Sequence, residues 1–183
     1  MPIKPSKEDI ADAFNRTVPD IMARDLKVLF CGINPGIYSG ATRLHFARPG
    51  NRFWKALYLS GFTKRQLDPS EGRELLNFGC GLTCIVKRTT ARADQIMREE
   101  FIEGGRLLEK KLKQYKPRYL GMLGLGAYRT AFSKPKAKIG LQDETIGGTQ
   151  IWLLPNPSGL NANHQLPDLV QLFAELKAAA FIN

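Results

Sequence analysis

A chain of 183 residues, 43% hydrophobic and 24% charged, is long enough to close one globular core and is not a disordered acidic tail. Its 27 Lys and Arg against 17 Asp and Glu leave a formal charge of +10, so a polyanion is the first partner to consider. No apolar run reaches the roughly 18–20 residues of a membrane span, no apolar signal core follows the N-terminus, and three cysteines are too few for a disulfide framework or a four-thiolate cluster.

The expected organisation is an appendage over 1–25 and a single domain over 26–183. In the appendage Ser6 caps a short helix with Asp9 at its third position, and Ile10, Ala13 and Phe14 form its apolar side. Leu26 to Ile33 is almost continuously apolar, as suits a central strand covered on both faces, and it ends in the turn Asn34-Pro35-Gly36. Ile37 to Gly50 has no periodicity and reads as a loop. Asn51 then opens a helix with Phe53, Trp54, Leu57 and Tyr58 on one side, and Asp68-Pro69-Ser70-Glu71 opens another. Gly81 to Val86 is the second strand. The loop Lys87–Asp94 leads to a long helix over 98–115, followed by a third strand over 119–123 and a short helix over 125–132.

A basic loop, Lys134 to Lys138, precedes a Gly147-Gly148 turn and the last strand, 150–154. That strand runs into a second Asn-Pro turn, Asn156-Pro157-Ser158-Gly159-Leu160, and Pro167 begins a final amphipathic helix. Strands alternating with helices predict an α/β fold with a mainly parallel sheet, and ligands in such sheets sit beyond the carboxyl ends of the strands. Two of those ends carry unusual turns.

Common catalytic signatures are absent. There is no phosphate-binding G-x-x-x-x-G-K-[ST], Gly124-Leu125-Gly126 is only part of a dinucleotide fingerprint, and no G-x-S-x-G is present. Cys80 and Cys84 share a C-x3-C spacing without a histidine at finger distance, so no metal is expected. His45 and His164, the only histidines, read singly as surface or loop-tip residues. Leu160, an apolar residue displayed on a Pro/Gly platform in a basic protein, suits a wedge pushed into a base stack.

Five segments carry a resemblance: GINPG (32–36), HFARPGNRFWKAL (45–57), GLTCIVKRTT (81–90), EFIEGGRLL (100–108) and LLPNPSGL (153–160). The chain resembles the mismatch-specific uracil/thymine DNA glycosylases, the double-strand-specific branch of the uracil-DNA glycosylase superfamily. The resemblance implies a three-layer α/β/α domain that flips uracil out of G·U and related mispairs in double-stranded DNA and hydrolyses its N-glycosidic bond. No cofactor and a monomer are expected, and the odd count of three cysteines in a basic domain suggests a reducing cytosol, hence a cytoplasmic location, nucleoid-associated in a bacterium.

Residue by residue, the resemblance implies that Asn34 holds the attacking water, and that Ile33 and Ser39 lie against the extruded base. Phe46 stacks on the pyrimidine, Leu160 fills the vacated space, and the backbone beside Gly159 engages the widowed guanine. The resembled turn carries an asparagine, whose amide orients water but accepts no proton near neutral pH. Asp94, on the same rim, is therefore a second catalytic candidate, with a helix cap or a salt bridge to Arg92 or Arg98 as the alternative. Lys87, Arg88, Arg92 and the Lys134–Lys138 loop are candidate phosphate contacts, the last equally a solvated surface. Two other functions stay open: a catalytically silent mismatch-binding protein, and an α/β module that binds a nucleobase.

Overall fold

In the computed structural model, which describes residues 4–182, the apolar run after Asp25 becomes β1 (Val28–Gly32), and every residue of it is buried. Residues 1–3, the start of the expected 1–25 appendage, and Asn183, the end of the expected 26–183 domain, lie outside the described residues. Burial on both faces explains the run: Val28 and Phe30 enter one half of the core, Leu29 and Cys31 the other. β1 pairs in parallel with β2 (Cys80–Cys84) and β3 (Tyr119–Leu123), and β3 pairs in parallel with β5 (Thr149–Leu154). The fifth strand, β4 (Gly140–Ile146), runs antiparallel to β5, giving the order β2-β1-β3-β5-β4. No strand is expected there from the sequence. The residues of β4 alternate between half-buried and exposed until Ile146, so its polar face masks it.

Helices cover both faces of the sheet. α3 (Phe53–Leu59) and α6 (Leu166–Ala180) pack on one side, where Phe30 stacks on Phe173 and meets Phe53 edge-on. α4 (Arg98–Tyr115) and α5 (Leu125–Ala131) pack on the other, through Leu108, Leu112 and Tyr128. The helix over Pro69–Phe78 is 3-10 rather than α, and Asp68 and Glu71 form the expected capping box. Ser6 and Asp9 do the same for α1 (Lys7–Ala11). The phenylalanine beyond that helix, Phe14, is half exposed, and so in part is Tyr58 on α3, where periodicity predicts apolar faces.

The stretch 37–50 is not all loop. α2 (Ile37–Thr42) forms there, capped only by Gly36, and its burial of Ser39 and Gly40 comes from tertiary packing rather than periodicity. Residues 15–21 lie along the free edge of β2 through antiparallel bridges at Thr17–Arg88 and Ile21–Leu82, which covers an otherwise open edge.

Candidate active site

Gly32 and Cys84 end β1 and β2 at the same level, and pairing continues past them. Ile85 N–H donates to Gly32 O (2.9 Å), Val86 N–H to Ile33 O (2.9 Å) and Thr90 N–H to Pro35 O (3.3 Å). This ladder lays the 87–94 loop against the Asn34 turn. With the turn after β5, the two enclose a cleft of about 580 Å³ at the carboxyl end of the sheet. The cleft brings together Ile33, Asn34, Ser39, Phe46, Arg92, Asp94 and Leu160, and leaves Lys87, Arg88 and Gly159 outside its lining.

The orientation of Asn34 is dictated by its neighbours. Its Nδ2 donates to Thr90 Oγ1 (2.8 Å), Arg88 O (3.1 Å) and Pro35 O (3.2 Å). Two of these are carbonyls and can only accept. Thr90 Oγ1 gives its own proton to Arg92 O (2.8 Å), so it too must accept from Asn34. The amide therefore has one permitted flip. No described hydrogen bond reaches its Oδ1, which leaves that oxygen to accept from a water in the cleft.

Phe46 has a left-handed backbone (φ 52°), uncommon for a bulky residue and a position where strain is stored. Its surroundings hold it there. One ring face lies on Phe53 with centroids 4.2 Å apart, and Ala47 N–H donates to Ser39 Oγ (3.2 Å). Gly32 makes room, since a Cβ there would stand 3.2 Å from the Phe46 ring. Ser39 thus fixes the loop that carries the ring as well as lining the cleft.

His45, read singly as a surface residue, is instead buried at 4% exposure. Its Nε2–H donates to Pro19 O (2.9 Å), which leaves Nδ1 unprotonated and facing the Cys84 thiol at 3.9 Å. Burial lowers the His45 pKa, outweighing the Pro19 hydrogen bond that would raise it. Burial also pushes the Cys84 and Cys80 thiols up to about 12, so neither is a thiolate nucleophile near neutrality.

At the second turn, Asn156 Oδ1 accepts from Ser158 N–H (3.1 Å) and Asn161 Nδ2 donates to Asn156 O (3.0 Å). Gly159 comes so near the 50–51 peptide that a Cβ would stand 2.7 Å from Gly50 O. Leu160 is 76% exposed, so it does not pack beneath the final helix.

The cations of the 87–94 loop are mostly turned inward. Lys87 pairs with Asp20, which also takes Lys111 (2.6 Å) and the Thr83 hydroxyl (2.8 Å). Burial lowers the Lys87 pKa and would raise that of Asp20, but the hydrogen bonds from Lys111 and Lys87 outweigh it and hold Asp20 low. Arg88 grips Glu100 (2.5 Å), holding that carboxyl down to about 2. What Arg88 gives the cleft is its carbonyl, on Asn34. Arg92 and Asp94 pair with each other on the exposed rim, and this hydrogen bond holds the Asp94 carboxyl low. Asp94 does not cap α4, which starts after Met97, whose N–H donates to the Glu100 carboxylate (2.9 Å). The Lys134–Lys138 loop lies at the same end of the sheet, because Gly140 stands opposite Leu153; Lys134 pairs with Glu144.

Thr90, His45, Cys84 and Arg48 also line the cleft and were missed as site residues. Thr90 belongs to a segment that carries the resemblance, GLTCIVKRTT, but nothing in that segment marks its hydroxyl as the acceptor for Asn34.

A family model described as the uracil DNA glycosylase superfamily matches residues 19–178. Among solved structures, the solution NMR structure of a candidate uracil DNA glycosylase from Methanosarcina acetivorans is similar, with a TM-score of 0.60 and 19% identity over 90% of this chain and 99% of that one. At that identity the likeness bears on the fold.

Proposed function

The chain belongs to the uracil DNA glycosylase superfamily, and from that premise we propose that it is a monomeric, monofunctional glycosylase that removes uracil and other mispaired pyrimidines from double-stranded DNA, G·U mispairs above all. The observation that carries this reading is the pairing, in one cleft, of an amide oxygen free to hold water with an apolar side chain exposed at the rim.

A base inside a duplex is out of reach, so extrusion comes first, and it costs least at a mispair. Leu160 enters the stack as the nucleotide leaves. The extruded ring stacks on Phe46, with Ile33 and Ser39 beside it, and backbone groups next to Gly159 meet the widowed guanine. The bond between C1′ and the base then breaks toward an oxocarbenium-like sugar, and its electron pair departs with the uracil. Water held by Asn34 Oδ1 adds to C1′ to form the new C–O bond, and its surplus proton passes to solvent or to the departing uracil anion. Because a carboxamide takes no proton, Asn34 orients and does not act as a base, so the chemical step is slow. Asp94, held low by its hydrogen bond to Arg92, is a weak base whose charge that guanidinium meets, so the chemical step proceeds without it.

The same property of Asn34 supports a second reading, a mismatch-binding protein with a silent centre. Incubation with a G·U duplex followed by alkali separates the two. Strand scission is expected, faster than on A·U; tight binding to the G·U duplex without scission would establish the second reading. Binding of free uracil without binding of duplex would instead favour a nucleobase module.

A further inference from the structure

The residue before α3 does more than continue the chain. Arg52 donates to four main-chain carbonyls of the loop after β5: Nε to Pro157 (3.4 Å), Nη2 to Ser158 (2.5 Å) and Asn161 (3.1 Å), and Nη1 to His164 (2.6 Å). Its backbone N–H also donates to Pro157 O (3.0 Å). These carbonyls bracket Leu160 on both sides, so the exposed leucine stands on a loop gathered by one planar fork. Among the described residues no ion pair involves Arg52; its charge is met by carbonyl dipoles alone. A lysine ammonium, a compact point charge, cannot span four acceptors in this way.

The residues on either side matter too. Asn51 Oδ1 accepts from Phe53 N–H (2.9 Å), and Phe53 carries the ring on which Phe46 lies. Three consecutive residues therefore tie the base-stacking ring and the rim leucine to the same stretch of backbone.

We infer that Arg52 is a positioning residue for base extrusion, fixing Leu160 relative to Phe46 so that the leucine enters the stack in register with capture of the base. The inference rests on the glycosylase reading. A wedge on a yielding loop transmits little force to a stacked pair, so loss of the fork matters most where the target is well paired. Nothing in the contacts of Arg52 reaches the reacting bond.

The test compares Arg52→Lys and Arg52→Gln with the parent protein in two measurements. Hydrogen exchange at the amides of Leu160, Asn161 and Asn163 is expected to quicken by about tenfold to a hundredfold, the scale of losing a hydrogen bond to a charged group. This readout needs no activity, so it decides the strut even if the protein excises no uracil, an outcome that would overturn the glycosylase reading alone. Single-turnover excision is expected to fall most on A·U, less on G·U and least on single-stranded uracil, with almost no further loss when either change is added to Leu160→Ala. Unchanged exchange in both variants, an equal loss on all three substrates, or full additivity with Leu160→Ala would each overturn the role of Arg52.

Discussion

The turns after β1 and β5 both begin Asn-Pro, and they put the asparagine to opposite uses. Asn156 is satisfied locally: its side chain accepts from Ser158 two residues on, and its carbonyl accepts from Asn161. Asn34 is gripped from a distance, by Arg88 and Thr90, 54 and 56 residues away in the chain. The local arrangement closes a turn and pushes the next apolar residue outward. The long-range arrangement ties down the nitrogen of the amide and leaves its oxygen unspent. One dipeptide thus serves as a turn former in one place and a water holder in the other, and the difference lies in what the rest of the fold brings to it.

The sharpest way to break this contrast is to remove both asparagines in turn. Asn34→Ala is expected to lower the single-turnover rate on a G·U duplex by about 10²–10⁴, the range for a group that positions or handles the reacting proton, with duplex binding nearly intact. Asn156→Ala should cost about 1 kcal/mol of stability, one turn hydrogen bond, and far less rate. Equal rate losses for the two would erase the distinction.

Truncating the outward residue sharpens the second turn. Leu160→Ala should slow excision from A·U roughly tenfold, the scale of losing apolar burial in the stack, and should slow excision from G·U less. The melting temperature should hardly move, because the side chain is 76% exposed in the free protein. A large drop in melting temperature with a uniform loss of rate would remove the wedge role.

The wall behind Phe46 provides a pH test. His45 is held below its ordinary value of 6.5 by burial, so the unfolded chain takes up a proton near 6.5 while the folded chain does not. Stability is therefore full above about pH 6.5 and falls as the pH drops from there toward the lowered folded value. Asp20, itself held low, responds only at more acid pH. Thermal melts between pH 7.5 and 5 should show this decline, and His45→Gln should flatten it; an equal slope in the variant would assign it elsewhere.

The smallest effect concerns the rim pair. Asp94→Asn should release Arg92 for phosphate, steepening the log–log salt dependence of duplex affinity by about 0.9 for one added contact, with the excision rate near that of the parent. A reduced rate at unchanged affinity would instead make Asp94 a participant in the chemistry. Lys87 and Arg88, already held by Asp20 and Glu100, should contribute little to the slope when replaced.

Features with a local cause were legible before the fold was known. The capping boxes at Ser6 and Asp68, the buried strand after Asp25 and the helix over 98–115 each follow from spacing within a few residues. β4 and α2 were not legible. The first shows an alternating polar face, and the second is a short helix whose burial depends on tertiary packing. The quoted segments held most of the cleft lining, but not the direction in which their charges point: a lysine and an arginine in KRTT read as phosphate ligands until Asp20 and Glu100 arrive from elsewhere in the chain.

By itself, then, the amino-acid sequence determined the alternation of strands and helices, the two Asn-Pro turns at strand ends and the leucine placed just past a stiff glycine turn, because propensity, capping and turn chemistry act over a handful of bonds. Only the tertiary structure decided which atom of Asn34 is left without a protein partner, that His45 is buried, and that Arg52 gathers the loop beneath Leu160. Each of these depends on a hydrogen-bond acceptor supplied by a distant segment, and a donor's choice of acceptor exists only once the sheet has brought those segments together.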